Sequence, residues 1–69
     1  MKRHYLVIFD GGTEYFDYDS HYLEYDEHYL AVFHNAGTDN EEDDELMLLV
    51  PYAHLGSVLV GKFRRGDES

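Results

Sequence analysis

The apolar residues of this chain lie in short runs bounded by turn signals, a pattern typical of small antiparallel β-sheets. HYLVIF, residues 4–9, is followed by DGGT, whose glycines accept the positive φ angles of a hairpin turn. EYFDYD, residues 14–19, alternates, so that Phe16 and Tyr18 face one side while Tyr15, Asp17 and Asp19 face the other. The pattern predicts two strands, the second with one solvent-exposed face.

Residues 20–35, SHYLEYDEHYLAVFHN, fit either a helix or two strands. In a helix, Ser20 would be the N-cap, Gly37 would follow the end, and an apolar stripe would comprise Tyr22, Tyr25, Tyr29, Val32 and Phe33. In the other reading, HYLEY and HYLAVFHN are strands joined at Asp26 and Glu27. Tyrosine and phenylalanine favour strands, and alanine and lysine are nearly absent, so we favour strands and keep the helix as the alternative.

The second half of the chain predicts a loop and two further strands. AGTDNEEDDE, residues 36–45, should be an exposed, mobile acidic loop, and LMLLV, the most apolar run, should be the central strand. Pro51 cannot donate a ladder hydrogen bond, so this strand should end or reach an edge there. PYAHLGS is expected to form a turn or one helical turn. SVLVGKF is expected to be the last strand, with Val58 and Val60 on one face, and residues 64–69 are expected to be a frayed tail.

The expected fold is mostly β, in one small domain spanning residues 1–69. We expect an antiparallel meander or an SH3-like half-open barrel of about five strands, the alternative being an α+β fold with a helix at 20–35. The chain has no cysteine, so apolar packing must stabilise it without disulfides.

The charge is unusually negative and unevenly placed. Fifteen acidic and five basic residues give a net charge of −10, and residues 4–61 contain thirteen acids but no lysine or arginine. This charge disfavours direct contact with nucleic acid or an anionic membrane. No apolar run approaches the length of a signal peptide core or a membrane span, so a cytoplasmic location is expected.

Motifs for catalysis or for metal binding are missing. The five histidines lack zinc-site spacing, and the acidic loop lacks the glycine and glutamate positions of a calcium loop. The carboxylates are predicted to lie on solvent-exposed faces and loops, where catalytic pairs are not expected. DGGT lacks the rest of a phosphate-binding motif. We therefore expect neither an enzyme nor a protein with a metal or cofactor.

The carboxylates themselves are the candidate site. On a strand, residues two apart share a face at roughly 7 Å, which is comparable to the phosphate step of a DNA strand. Asp17 with Asp19, and Glu24 with Asp26, have this spacing, and tyrosines are well suited to interfaces. The predicted partner-binding residues are Asp17, Asp19, Glu24, Asp26, Glu27, Glu41, Glu42, Asp43, Asp44 and Glu45, together with Tyr15 and Tyr22.

With YFDYDSHYLEYDE and TDNEEDDE as its charged stretches, the chain resembles small acidic phage-encoded inhibitors that mimic DNA, such as anti-CRISPR proteins and inhibitors of uracil-DNA glycosylase. The resemblance covers composition and charge layout over residues 10–45. It implies a viral protein, acting in the host cytoplasm, that occupies the basic groove of a nuclease, a CRISPR effector subunit or a glycosylase. Such a protein is expected to be a monomer or weak dimer.

Two other interpretations remain open. The chain could be a generic small β interaction module that is acidic because its source is halophilic, in which case the charge says nothing about partners. It could also be a small subunit or toxin partner that docks through its aromatic face. The salt dependence of partner binding distinguishes DNA mimicry from docking through an aromatic face. Binding through carboxylate rows weakens steeply with added salt, and hydrophobic docking does not.

Overall fold

The computed structural model describes residues 2–62, which form six strands and two short 3₁₀ turns. The strands are β1 (His4–Phe9), β2 (Gly12–Asp17), β3 (His21–Tyr25), β4 (Tyr29–His34), β5 (Glu45–Pro51) and β6 (Leu55–Gly61). The 3₁₀ turns are Glu41–Asp43 and Tyr52–His54. The mostly β prediction is confirmed, and the alternative helix at 20–35 is wrong. The tail predicted at 64–69 lies outside the described residues.

The strands form two three-stranded antiparallel sheets, with orders β2-β1-β6 and β3-β4-β5. Only residues 18–20 separate β2 from β3, so the chain passes directly from the first sheet to the second. After β5 and the turn at Tyr52–His54, β6 returns to pair with β1. This arrangement agrees with the predicted small antiparallel meander or half-open barrel, with six strands instead of about five.

The two sheets pack against each other around Val7 and Phe16 from the first sheet and Leu30 and Val32 from the second. Each of these is less than one tenth exposed. Burial of such side chains is the main favourable contribution to folding, at about 25 cal/mol per Å² of apolar surface. The inner face of each sheet is therefore fixed, and the alternate residues of every strand face outward.

Glycine is required at two positions in the first sheet. Gly12 has a φ of 136°, a conformation that L side chains rarely adopt, where the β1–β2 hairpin turn enters β2. At Gly56 the register between β1 and β6 shifts, and a Cβ atom there would lie 3.0 Å from the carbonyl oxygen of Ile8. The DGGT turn is confirmed, whereas the bulge at Gly56 was not predicted.

LMLLV is not the central strand that the sequence predicts. β5 lies at the edge of the described second sheet and its residues Leu46, Met47 and Leu49 are 45–49% exposed. β4 takes the centre, and its residues 30–32 are buried in succession, with Leu30 and Val32 on the inner face and the small Ala31 on the outer face between Glu24 and Leu49. The predicted end of the strand at Pro51 and the helical turn after it are confirmed.

Candidate anionic binding face

Tyr22 and Glu24 lie on the outer face of the second sheet because β3 alternates across it. Leu23 packs against the core, so its two neighbours point away from the core. The register places Tyr22 opposite Phe33 on β4, and their rings stack with centroids 5.4 Å apart. The strand and this stack together hold the Tyr22 phenol in one orientation.

Asp44, at the end of the acidic loop, is bound to this face by two hydrogen bonds. The Tyr22 hydroxyl donates to one carboxylate oxygen at 2.5 Å, and the backbone N–H of Ala36 donates to the other at 2.9 Å. The Ala36 N–H is the main cause of the lowered pKa of Asp44, with further contributions from Tyr22 and from His34. The loop is therefore fastened to the sheet at the residue just before β5.

The same contact raises the pKa of Tyr22 to about 12. The hydrogen bond to Asp44 is the largest cause, followed by burial and by the negative charges of Asp44, Glu41 and Glu24. These charges reach the Tyr22 hydroxyl from two parts of the chain, the strand β3 and the acidic loop. Folding thus brings Glu24 near two carboxylates that are about twenty residues away in sequence.

Tyr29 extends this arrangement toward the β3–β4 turn. The charge of Asp26 is the main cause of its raised pKa, and burial and the charge of Glu24 add to it. In the turn itself, the Asp26 N–H donates to the Tyr29 carbonyl at 2.9 Å, and the Glu27 N–H donates to the Asp26 carboxylate. Asp26 is thus held in place by both its backbone and its side chain.

We call this set of carboxylates and phenols on one side of the second sheet the anionic face. It comprises Glu24, Asp26, Glu41, Asp44, Tyr22 and Tyr29. Five of its members are among the predicted site residues, and Tyr29 is the one that the sequence reasoning missed. Tyr29 could have been found from the pairing of β3 with β4, because Ala31 lies opposite Glu24 and Tyr29, two residues before Ala31, shares its face.

The other predicted acids of the loop and the hairpin turn are exposed around this region. Glu42 and Asp43 belong to the 3₁₀ turn, which is capped by the Asn40 side chain. The Thr38 hydroxyl donates a hydrogen bond to the Asp43 carboxylate. Glu27 lies in the β3–β4 turn, 3.9 Å from His28. Glu45 is the first residue of β5, opposite His34, rather than the end of a loop.

Asp17, Asp19 and Tyr15 lie elsewhere. Tyr15 and Asp17 are on the outer face of the first sheet, where Asp17 is 3.9 Å from the Lys2 ammonium and accepts a hydrogen bond from Ser20. β2 ends at Asp17, so Asp19 is in the turn and does not continue a row along the strand. β3 likewise ends at Tyr25, one residue before Asp26. The evenly spaced rows expected along single strands are therefore not formed, and the carboxylates meet across strands and loops.

Lysine and arginine contribute little to the neighbourhood of the anionic face. In the part of the chain that the structure describes, their only ion pair is that of Lys2 with Asp17, in which the lysine is largely exposed and the aspartate partly so. Exposed pairs of this kind contribute about 0–1 kcal/mol. Arg64 and Arg65 lie outside the described residues. Within residues 2–62 the anionic face thus has no ion pair with lysine or arginine.

Two histidines meet at one end of the second sheet. His21 and His34 are opposite each other, with ring centroids 5.0 Å apart, a pairing that the sequence analysis did not predict. His21 also contacts the Ser20 hydroxyl and the carbonyl of Asp17. Among the described residues there is no group of three or more side chains that could hold a metal ion.

Over residues 2–62 the surface has no pocket. None of the described residues forms a helix of the length and hydrophobicity needed to cross a membrane. The chemical features of this surface are therefore the charges, phenols and apolar side chains displayed on its two sheets.

In comparisons with known proteins, no family model, no curated protein and no solved structure matched the chain.

Proposed function

We propose that this protein is a non-enzymatic DNA mimic. Its anionic face occupies the basic nucleic-acid groove of a partner protein and so inhibits that partner. The observation that carries the proposal is the convergence of Glu24, Asp26, Glu41 and Asp44 around two phenols on one face of a sheet. The partner class is a nuclease, a CRISPR effector subunit or a glycosylase, met in the cytoplasm of a host cell.

The charge pattern supports this proposal because a concentrated negative field attracts a cationic groove in the same way as the phosphates of DNA. With a net charge of −10, the whole chain adds to this attraction. Carboxylates near the anionic face are not paired with lysine or arginine among residues 2–62, so their charge is available to a partner.

The fixed geometry of the face supports it as well. Tyr22 is held by its stack on Phe33 and its bond to Asp44, and Asp26 is held within a hydrogen-bonded turn. Groups that are already in place lose little conformational entropy when they bind. The phenols add contact area that phosphates lack, since tyrosine is favoured at protein interfaces.

Capture followed by elution with DNA tests the proposal. The immobilised protein is exposed to bacterial lysate at about 0.1 M salt, and bound proteins are eluted with duplex DNA and then identified by mass spectrometry. We expect nucleic-acid-binding proteins that duplex DNA releases and that high salt also releases. Retained proteins that DNA does not release would contradict mimicry.

Two double variants with the same change of charge provide the matched control. Glu24→Gln/Asp26→Asn alters the anionic face, and Asp17→Asn/Asp19→Asn alters the other surface. The sequence predicts weaker binding for the second variant, whereas the structure shifts the larger expected loss to the first. We expect roughly tenfold weaker partner binding for the first, consistent with two exposed ion pairs of up to about 1 kcal/mol each. Equal losses would contradict the assignment of the face.

The alternative is a generic β interaction module that is acidic because its source is halophilic. It predicts a different salt dependence for the stability of the isolated protein. A halophilic domain loses its fold at low ionic strength, whereas the mimic stays folded at about 0.1 M salt. Circular dichroism during thermal unfolding at several salt concentrations measures this difference.

A further inference from the structure

Two tyrosine rings are in contact at the margin of the core and a third is near them, on the inner side of the sheets and opposite the outer face that carries Glu24. Tyr5 belongs to β1, Tyr18 to the turn after β2 and Tyr25 to the end of β3. The rings of Tyr5 and Tyr18 have centroids 5.0 Å apart and planes tilted by 37°. Tyr18 is 37% exposed and Tyr25 is 62% exposed, so both offer ring surface to solvent. We call these three residues the tyrosine cluster.

The chemistry of Tyr5 agrees with this grouping. Burial is the largest cause of its raised pKa, and the nearby phenols of Tyr18 and Tyr25 add to it. Tyr25 lies opposite Leu30, a core residue, so its ring is on the inner side of the second sheet, whereas Glu24 is on the outer side. The tyrosine cluster and the anionic face are therefore different surfaces.

A guanidinium already lies on the tyrosine cluster. The central carbon of the Arg3 guanidinium is 5.2 Å from the centroid of the Tyr18 ring, within the roughly 6 Å range of a cation–π contact. The Tyr18 N–H donates a hydrogen bond to the Arg3 carbonyl at 3.0 Å. The backbone thus keeps Arg3 beside Tyr18, while the Arg3 residue itself is exposed.

We propose that the tyrosine cluster is a binding site for an arginine side chain of a partner protein, and that Arg3 occupies this site when no partner is bound. Guanidinium is planar and more weakly hydrated than ammonium, so it stacks on rings more readily than lysine does. Val60, the cross-strand neighbour of Tyr5, is 51% exposed and can contact the aliphatic part of the incoming arginine. The net charge of −10 favours any such cationic partner.

This inference does not rest on the proposed function. It requires only that a partner expose an arginine, whether or not that partner binds nucleic acid. The partner's arginine must displace Arg3, so removing the Arg3 side chain should strengthen binding. Removing a different positive charge nearby should not have this specific effect.

The test uses acetylated, amidated tetra-arginine and tetra-lysine peptides as probes, with NMR shifts of the tyrosine ring protons and fitted affinities as readouts. Arg3→Gln and Lys2→Gln change the net charge equally, but only the first uncovers Tyr18. We expect Arg3→Gln to bind tetra-arginine about two- to fivefold more tightly than Lys2→Gln, the range of an exposed cation–π contact. Equal affinities of these two variants would overturn the proposal.

Tyr18→Leu and Tyr18→Phe separate the ring from the hydroxyl. We expect Tyr18→Leu to lose the preference for tetra-arginine over tetra-lysine, and Tyr18→Phe to keep it. Tyr15→Leu, on the outer face of the first sheet, is the matched control and should also keep it. A Tyr18→Leu protein that folds and retains the preference would overturn the proposal. If that variant does not fold, the comparison of Arg3→Gln with Lys2→Gln decides the question.

A variant of the anionic face distinguishes this inference from the proposed function. Glu24→Gln/Asp26→Asn should weaken tetra-arginine and tetra-lysine binding alike, because it changes charge and leaves the rings in place. Loss of arginine preference is thus the readout for the tyrosine cluster alone, and displacement of DNA from a partner is the readout for the anionic face.

Discussion

The outer faces of the two sheets have similar alternating strand patterns and differ in what the register brings together. On the first sheet, Tyr15 lies opposite Leu6, and Asp17 is beside Lys2. On the second, Glu24 lies between two phenols and near carboxylates from a distant loop. The difference shows that the number of acidic residues does not determine how negative charge is arranged, since these residue types form an anionic face only where folding gathers them away from lysine and arginine.

The largest expected effect is a difference in the free energy of unfolding between a substitution in the core and one on an outer face. Leu30→Ala removes a fully buried side chain of the central strand β4 and should lower the free energy of unfolding by about 2–5 kcal/mol. Leu59→Ala, at a side chain that is 44% exposed on the first sheet, should cost less than about 1 kcal/mol. Urea unfolding of both variants measures the difference, and similar losses would contradict the assigned core.

The next effect concerns the residue that fastens the loop to the second sheet. Because the pKa of Asp44 is lowered by folding, its ionised form stabilises the protein above the pKa of the unfolded chain. That contribution is lost as pH falls below about 4 and through the folded pKa. We therefore expect wild type to lose more stability in acid than Asp44→Asn does, measured as urea midpoints across acidic pH. Parallel curves would show that Asp44 is not bonded in this way.

A smaller effect should distinguish two carboxylates that have no lysine or arginine partner from Asp17, which faces Lys2. Glu24→Gln/Asp26→Asn relieves repulsion on the anionic face, so it should raise the melting temperature by a few degrees at low salt. Asp17→Asn removes a carboxylate that faces Lys2 and should not raise it. Calorimetry at low salt and at about 1 M salt tests both, since screening should remove the gain. A gain that persists in high salt would have a cause other than charge.

The smallest effect is local and concerns one phenol. The pKa of Tyr22 is about 12, mainly because its hydroxyl donates to Asp44. Asp44→Asn should move this pKa toward the ordinary value of 10.0, leaving the part due to burial, Glu41 and Glu24. NMR titration of the tyrosine rings checks this. An unchanged Tyr22 pKa would mean that the hydrogen bond is not its main cause.

Local features of the fold could be predicted from the sequence, and pairing between distant strands could not. The DGGT turn, the strands on either side of Asp26 and the end of β5 at Pro51 follow from backbone preferences of nearby residues. The edge position of LMLLV does not, because strand order depends on contacts between residues far apart in sequence. A very apolar run suggested a central strand, yet β5 is at the edge of its sheet in the described residues.

The site shows the same division. Tyr22 and Glu24 could be placed on one side from the period of a single strand. The bond between Tyr22 and Asp44 could not be predicted, because it depends on how the loop returns to the sheet. The even spacing expected for Asp17 with Asp19 and for Glu24 with Asp26 failed because both strands end before the second carboxylate.

Competition between this protein and DNA for one captured partner tests the central claim most directly. Labelled duplex DNA is bound to the purified partner at about 0.1 M salt, and its fluorescence anisotropy is followed as the protein is added. The expected result is complete release of the DNA by wild type and a roughly tenfold higher midpoint for Glu24→Gln/Asp26→Asn. Anisotropy that stays constant or rises, with the protein bound beside the DNA, would contradict the claim.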